Sequence, residues 1–539
     1  MVAAEAGQAE HAERAAQVDA LFGEWDRSDS PGCALGIVQG GELVYARGYG
    51  MANLDLGVAL TPASVFHVAS VSKQFTAITV ALLAHEGKLE LDDDVRKYVP
   101  ELPDFGHTIT LRHLINHTSG LRDQYGLFRL AGWREGDVQT FGDVIDFALR
   151  HRRLNFEPGA EYAYCNTSYT LLALTVERVG GRPFAEFVRE RLLEPLDMAH
   201  SHIHDDVTRI VPNRASAYAP REGGGFKVAN SNVDAVGAIC LHTSVEDLAR
   251  WLRNFRDRTV AGEVLDDAVT PGRLNDGTPL RYAHGLMIGA YRGLETVSHG
   301  GVDSGYRAEM LWFPEADFGV VVLANLATIR PGALARRVAD LWLADRLGRD
   351  DLLDADVVPV PEAELERLAG LYRDPRTALT RRILLDDGKP TVNGPFGDRI
   401  EMTPLGDGRF RVGDPAQEVR VVPGPDGSLE YHEVSPDGQI SVFPAVAAAA
   451  PSSETLSGYA GTYRCPELGT SYTFLVRDGT LVLRHRHMEE RALAPSIADA
   501  FTVPPSEFDV VFSRDGRGDV NGFDLFSPRI RYLRFERAG

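Results

Sequence analysis

Ser70 and Lys73 stand three residues apart at the head of a long apolar run, Phe75 to Leu83. Residues three apart on a helix share a face, so this hydroxyl and this amine can touch across one turn. A serine hydroxyl is a weak nucleophile at neutral pH and needs a base beside it. A lysine can be that base only when burial or neighbouring cations lower its pKa. The run that follows is apolar on nearly all sides, which predicts a buried helix and a desolvated amine. The chemistry such a pair offers is acyl transfer through a covalent acyl-enzyme on Ser70.

Two later elements follow in an order that suits this chemistry. Tyr164-Cys165-Asn166 lies in a loop entering a helix, and His299-Gly300-Gly301 lies just before a strand at 306–313. A phenol with a pKa near 10 must have its phenolate stabilised before it can act as a base. The N–H of Ser70, at the start of a helix, is a natural donor to an oxyanion.

The strings Phe66-His-Val-Ala-Ser-Val-Ser-Lys-Gln-Phe-Thr76, Leu114-Ile-Asn-His-Thr-Ser-Gly-Leu121, Tyr164-Cys-Asn-Thr167 and Ser298-His-Gly-Gly301 carry a family resemblance. Over about residues 15–346 the chain resembles the serine β-lactamase and penicillin-binding superfamily. It is most similar to the branch holding class C β-lactamases, related esterases and D-aminopeptidases. The resemblance implies that Ser70 is the nucleophile and that Lys73 or Tyr164 is the base; it leaves open which. It implies that Asn166 hydrogen-bonds Lys73 and the substrate amide, and that His299 hydrogen-bonds Tyr164 or the leaving group. The second oxyanion donor would be the N–H of Val302, with Gly300 and Gly301 bordering the substrate. Cys165 fills a position often held by serine or alanine and reads as a small packing residue. His299 replaces a frequent lysine. A histidine is mostly neutral above its pKa, so a substrate carboxylate loses its permanent counter-charge. This disfavours β-lactamase and D,D-carboxypeptidase activity relative to esterase or D-aminopeptidase activity.

The 539 residues, 44% hydrophobic and 25% charged, suffice for a large core and more than one domain. A net charge of −21 argues against nucleic acid and anionic membrane as partners. The expected partner is a small-molecule or short peptide substrate, and a homodimer is compatible with the sequence. The four cysteines are far apart, with neither zinc-finger nor disulfide spacing. No cofactor and no metal is expected. His202 and His204 alternate, but no further ligand is evident beside them, so they read as a surface loop. His485 and His487 read as a solvated strand face, and His117 as a structural turn residue. The N-terminus lacks a signal-peptide pattern and no apolar stretch is membrane-spanning, which predicts a cytoplasmic protein.

An α+β fold must position these residues. Residues 5–26 read as an amphipathic helix. Strands at 33–38 and 43–47, joined by Gly40-Gly41, pair with strands at 294–298, 306–313 and 318–326, followed by a helix at 336–347. The result is one antiparallel sheet flanked by helices, with a helical lobe at about 70–260 and the site between them. After about residue 350, alternating runs separated by Asp-Gly turns replace the helical pattern. Leu365 to Pro375 matches Leu456 to Pro466 at six of eleven positions, which predicts two small antiparallel barrels. The expected domains are 1–348, catalytic and β-lactamase-like; 349–446, the first barrel; and 447–539, the second. The resemblance implies that the barrels are lipocalin-like. Residues 445–454 read as the linker between them. Two roles for the barrels stand equal: loops such as 508–518 reach the cleft and shape substrate choice, or the barrels only cover apolar surface. A chain ending near Pro451 is then expected to fold and keep its nucleophile.

The leading expectation is a serine hydrolase acting on amides or esters, with D-residue peptides or amides the best candidates. The same residues would also serve an acyltransferase or a peptide-cyclising thioesterase. A non-catalytic binding protein is the remaining alternative.

Overall fold

The computed structural model describes residues 13–134, 136–394, 399–413, 416–434, 440–504 and 508–538. Residues 5–12 of the expected N-terminal helix lie outside them; residues 13–22 are helical, with Val18 and Phe22 fully buried. An antiparallel sheet orders its strands Met287–Tyr291, Leu294–Asp303, Tyr306–Phe313, Phe318–Ala324, Cys33–Gln39 and Glu42–Tyr49. The early hairpin therefore pairs with the late strands, Cys33 opposite Ala324. Gly40 and Gly41 both have positive φ, as a tight two-residue turn requires. The helices Val245–Asp257 and Pro331–Trp342 pack on the sheet. Phe318–Ala324 is buried at every residue, because helices cover both of its faces.

The Lys73–His85 helix is buried from Lys73 to Leu83 and packs against a second buried helix, Asn166–Gly180. The strand holding His299 is longer than the sequence pattern predicts. It runs to Asp303 and so includes both glycines. A Cβ on Gly301 would fall 2.1 Å from the Val68 carbonyl oxygen. Only glycine lets this strand lie flush against the turn that carries Ser70.

Two antiparallel barrels follow. The first is closed, from Gly370–Arg373 to Ile440–Val446, with its own core around Tyr372, Ile383 and Tyr431. The second is a nearly closed sheet from Gly461–Cys465 to Ile530–Arg537. The repeat is visible in bonding as well as in sequence. Each unit starts with a short helix, Glu362–Leu368 or Ser453–Tyr459. In each, the repeated tyrosine of the next strand bonds the carbonyl four residues back, Tyr372 to Leu368 at 2.7 Å and Tyr463 to Tyr459 at 2.9 Å. The linker is shorter than the composition suggests, since Ala445 and Val446 still belong to the first barrel's last strand.

The second barrel packs into the unit formed by the first sheet and its helices. Its interior joins one continuous apolar cluster with the Lys73–His85 and Asn166–Gly180 helices. Arg122, fully buried, bonds Glu467 at 2.6 Å and the carbonyls of Arg531 and Tyr532. Tyr472 donates to the Leu130 carbonyl at 2.8 Å. His485 and His487 are not a solvated face. His485 is buried and bonds Thr470, and His487 bonds the Gly132 carbonyl. A chain ending near Pro451 would leave Arg122 without its carboxylate and expose shared core, so the structure speaks against that expected independence.

Candidate active site

Ser70 lies in a 3₁₀ turn, Ala69–Ser72, that leads directly into the Lys73–His85 helix. Ala69 adopts a left-handed φ of 46°, an uncommon conformation for a residue with a Cβ. Ser70 is half-buried, while Lys73 is fully buried. The Lys73 Nζ has three neighbours: Ser70 Oγ at 3.1 Å, Asn166 Oδ1 at 2.7 Å and the Ala238 carbonyl at 2.8 Å. Burial pushes the Lys73 pKa well below its usual value; Arg529 adds to the shift and Asp123 opposes it. A neutral amine has two hydrogens and one lone pair. Asn166 Oδ1 and the Ala238 oxygen can only accept, so both hydrogens go to them. The lone pair is left for Ser70, whose hydroxyl can donate.

Asn166 opens its helix and is oriented by Asp123. The Asp123 carboxylate accepts from the Asn166 backbone N–H at 2.8 Å and from its Nδ2 at 2.7 Å, which turns Oδ1 toward Lys73. Asp123 also caps the Gln124–Ala131 helix. Sequence reasoning did not find Asp123, although its place before a helical stretch is a cap signal.

Tyr164 presents its ring face to Lys73, with Nζ 4.8 Å from the ring centre. Its hydroxyl end is buried and has no geometrically sound hydrogen bond among the described residues. Burial drives its pKa far above the ordinary tyrosine value, an effect that the nearby Ser70 hydroxyl and Arg529 only partly offset. His117 lies against Tyr164, ring centres 4.2 Å apart, and takes the Cys165 N–H on Nδ1. Its φ of +58° fits the turn expected there. Cys165 itself is buried, with its thiol pKa pushed up to about 11 by burial and its Sγ 3.7 Å from the Arg122 carbonyl. All four cysteines are free and buried.

His299 departs from the expected partnership. Its ring centre is 6.2 Å from that of Tyr164, and its Nε2 pairs with the Tyr282 hydroxyl at 3.0 Å. Its Nδ1 is 2.7 Å from the Gly300 carbonyl. A carbonyl accepts only, so Nδ1 carries the proton and Nε2 accepts from Tyr282. Burial, reinforced by Lys73, lowers the His299 pKa to about 3. Both ring nitrogens are thus committed, and the ring is neutral. Gly301 rests on the Val68 carbonyl, and its strand packs on the 3₁₀ turn. This brings Gly300, Gly301 and the exposed Val302 alongside Ser70.

The segment that reaches the cleft from the second barrel is not 508–518. Phe508–Arg514 is a paired strand of that barrel. The hairpin turn between Val520–Ser527 and Ile530–Arg537 arrives instead. Its Arg529 is exposed, with its guanidinium carbon 4.7 Å from the Tyr164 ring centre. The Arg529 carbonyl accepts from the Asp123 N–H and from Asn155 Nδ2. Asn155 also accepts from the Arg531 N–H at 2.7 Å, which fixes the turn on both sides. No sequence signal marks Arg529 or Tyr282, since both reach the site only through chain return.

The histidines at 202 and 204 are not in a surface loop. His202–Ile203 is a strand, and His204 is buried beside His242.

A fold of this kind, with a serine and a buried lysine one turn apart between sheet and helical lobe, defines its class. The chain belongs to the β-lactamase family, which matches residues 17–342. It is 27% identical to a D-aminopeptidase of Gluconobacter oxydans, over 95% of this chain and 97% of that protein. It is 29% identical to penicillin-binding protein 4* of Bacillus subtilis, over 53% of this chain and 66% of that protein. Among solved structures, an octameric penicillin-binding protein homologue from Pyrococcus abyssi superposes with a TM-score of 0.57 at 22% identity. That likeness covers 88% of this chain and 99% of that one.

Proposed function

We propose that this protein is a serine hydrolase that cleaves D-amino-acid amides or peptides through an acyl-enzyme on Ser70. The observation that carries the chemistry is the Lys73 amine, with two acceptors for its hydrogens and its third contact on Ser70 Oγ. Lys73 then takes the Ser70 proton as Oγ attacks the carbonyl. Tyr164 is the poorer base, because its phenol is held protonated. It serves better as a proton relay toward the leaving amine, with its hydroxyl buried near Ser70. The Ser70 and Val302 N–H groups receive the oxyanion. Asn166 holds Lys73 and can meet the substrate amide, while neutral His299 and Tyr282 form the wall beside Gly300 and Gly301. The substrate class is supported by the Gluconobacter oxydans D-aminopeptidase, which aligns along nearly the whole chain, barrels included.

Arg529 returns to the cleft the positive charge that His299 lacks. A substrate carboxylate on the leaving-group side is therefore better accommodated than the motif alone suggests. The test is a fluorophosphonate label on Ser70, followed by a panel of D- and L-amino acid p-nitroanilides, dipeptides and short-chain esters. The reading expects labelling at Ser70 and faster turnover of D-residue amides. Faster turnover of L-residue amides throughout would refute the substrate class, and an unlabelled Ser70 in active protein would refute the nucleophile.

A further inference from the structure

A second cluster of titratable side chains lies on the other side of the segment that carries Ser70. The strand Leu241–Thr243 is the middle of a small three-stranded sheet, with Phe66–His67 on one edge and His202–Ile203 on the other. Its register places His242 opposite both His67 and His202. Residues directly opposite in an antiparallel pair project to one face. His204 follows His202 by two and returns to the same side. Three rings are thereby gathered: His202 and His242 have centres 5.3 Å apart, and His204 and His242 4.3 Å. One nitrogen from each of His202, His204 and His242 lies within 4.8 Å of the other two.

Two readings of this cluster differ in what they leave unsatisfied. As a plain aromatic stack, it leaves both ring nitrogens of His242 buried without a hydrogen-bond partner. Buried polar atoms of that kind are rare and costly in folded proteins. As a ligand set, it gives one of those two nitrogens a partner, since a neutral imidazole offers an ion a single lone pair. The His202 Nε2 and His204 Nδ1 are 3.2 Å apart. Two imidazoles on a tetrahedral zinc, each about 2.05 Å from the ion, have nitrogens roughly 3.3 Å apart. Closing the widest gap in the cluster to that edge takes a ring movement of about 1.5 Å. Burial holds all three rings neutral, the form in which imidazole binds a metal.

Two arginines lie near the cluster. Arg209 bonds Asp205 at 2.8 Å and the Ile203 carbonyl at 3.2 Å. Arg214 is the remaining cation whose field reaches the three rings. His67 lies next to His242 and within 3.0 Å of Asp303.

We propose that His202, His204 and His242 form a site for one divalent first-row transition ion, Zn²⁺ by ligand preference, with a fourth position for water or an external ligand. Three imidazoles without thiolates or clustered carboxylates disfavour Ca²⁺ and Mg²⁺. The site is separate from the Ser70–Lys73 pair and its proposed chemistry. It adjoins that chemistry through the chain, since His67 precedes Ser70 by three residues and Asp303 follows Val302.

The experiment strips the full-length protein with a chelator and titrates it with Co²⁺, read by visible absorption, and with Zn²⁺, read by calorimetry. One equivalent of tight binding is expected, with the strong visible bands of low-coordinate Co²⁺. His202→Ala, at a partly exposed position, should weaken binding by at least about 10- to 100-fold, with circular dichroism unchanged. His204→Asn gives the same loss if His202→Ala should fail to fold. His487→Ala, at a histidine elsewhere, should bind as the wild type does. Absence of stoichiometric binding, the weak spectrum of a water-rich octahedral ion, or wild-type affinity retained in His202→Ala or His204→Asn would overturn the site.

Discussion

Replacing Arg529 by glutamine removes a positive charge from the neighbourhood of Lys73 without touching the nucleophile. The Arg529 guanidinium carbon is 4.7 Å from the Tyr164 ring centre, and the Lys73 Nζ is 4.8 Å from the same point. Added together, these distances place the two charges no more than about 9.5 Å apart. Arg529 is exposed, so an effective dielectric constant of about 20 to 40 is appropriate, and the repulsion is about 0.9 to 1.7 kcal/mol. Divided by 1.36 kcal/mol per unit, this is a change of about 0.6 to 1.3 in the pKa of a base at Lys73. The sign follows from charge. A cation nearby disfavours protonated Lys73, so its removal raises the pKa. Lys73 must be unprotonated to take the Ser70 proton, so kcat/KM falls as pH drops through that pKa. Arg529→Gln should therefore move the acid limb of the kcat/KM profile upward by about one pH unit, with a neutral ester as substrate. Arg529→Lys should leave the limb nearly in place. A neutral substrate matters, because it removes any direct contact between Arg529 and a substrate carboxylate. An acid limb that stays within 0.2 units of the wild type, ~0.3 kcal/mol, would refute Lys73 as the titrating base.

Ser70→Ala should abolish turnover and fluorophosphonate labelling in a folded protein, and measurable acyl-enzyme in that variant would contradict the mechanism. His299→Gln should lower kcat but leave the acid limb where it is, because His299 is already neutral above about pH 3; a limb displaced by this substitution would make the histidine the titrating group. Cys165→Ser should retain most activity, and native Cys165 should resist iodoacetamide at pH 8, since its thiol is buried with a pKa pushed up to about 11; peptide mapping by mass spectrometry reads both outcomes. Glu467→Ala should destabilise the protein by about 3 kcal/mol or more, because it leaves the fully buried Arg122 charge unpaired. Denaturant unfolding measures that loss, and a change under 1 kcal/mol would show that the second barrel is less firmly held than its contacts indicate.

What the amino-acid sequence determined by itself is what local periodicity encodes. Ser70 and Lys73 meet because a three-residue spacing spans one turn where the 3₁₀ turn runs into the helix, and the apolar run after them buries the amine. The two barrels were legible because the repeated Leu-Ala-Gly-Tyr-Arg pattern builds the same helix, strand and tyrosine bond twice. The Gly40-Gly41 hairpin and the late strands were likewise written in turn chemistry and alternation. Tertiary structure alone decided who faces whom across the fold. Asp123 orients Asn166 from 43 residues away, and Tyr282 claims the His299 nitrogen expected for Tyr164. Arg529 arrives from the last hairpin, and His242 joins His202 and His204 through strand pairing. These contacts depend on where the chain returns after long excursions. That is set by packing of whole elements against one another, and no spacing within a short window records it.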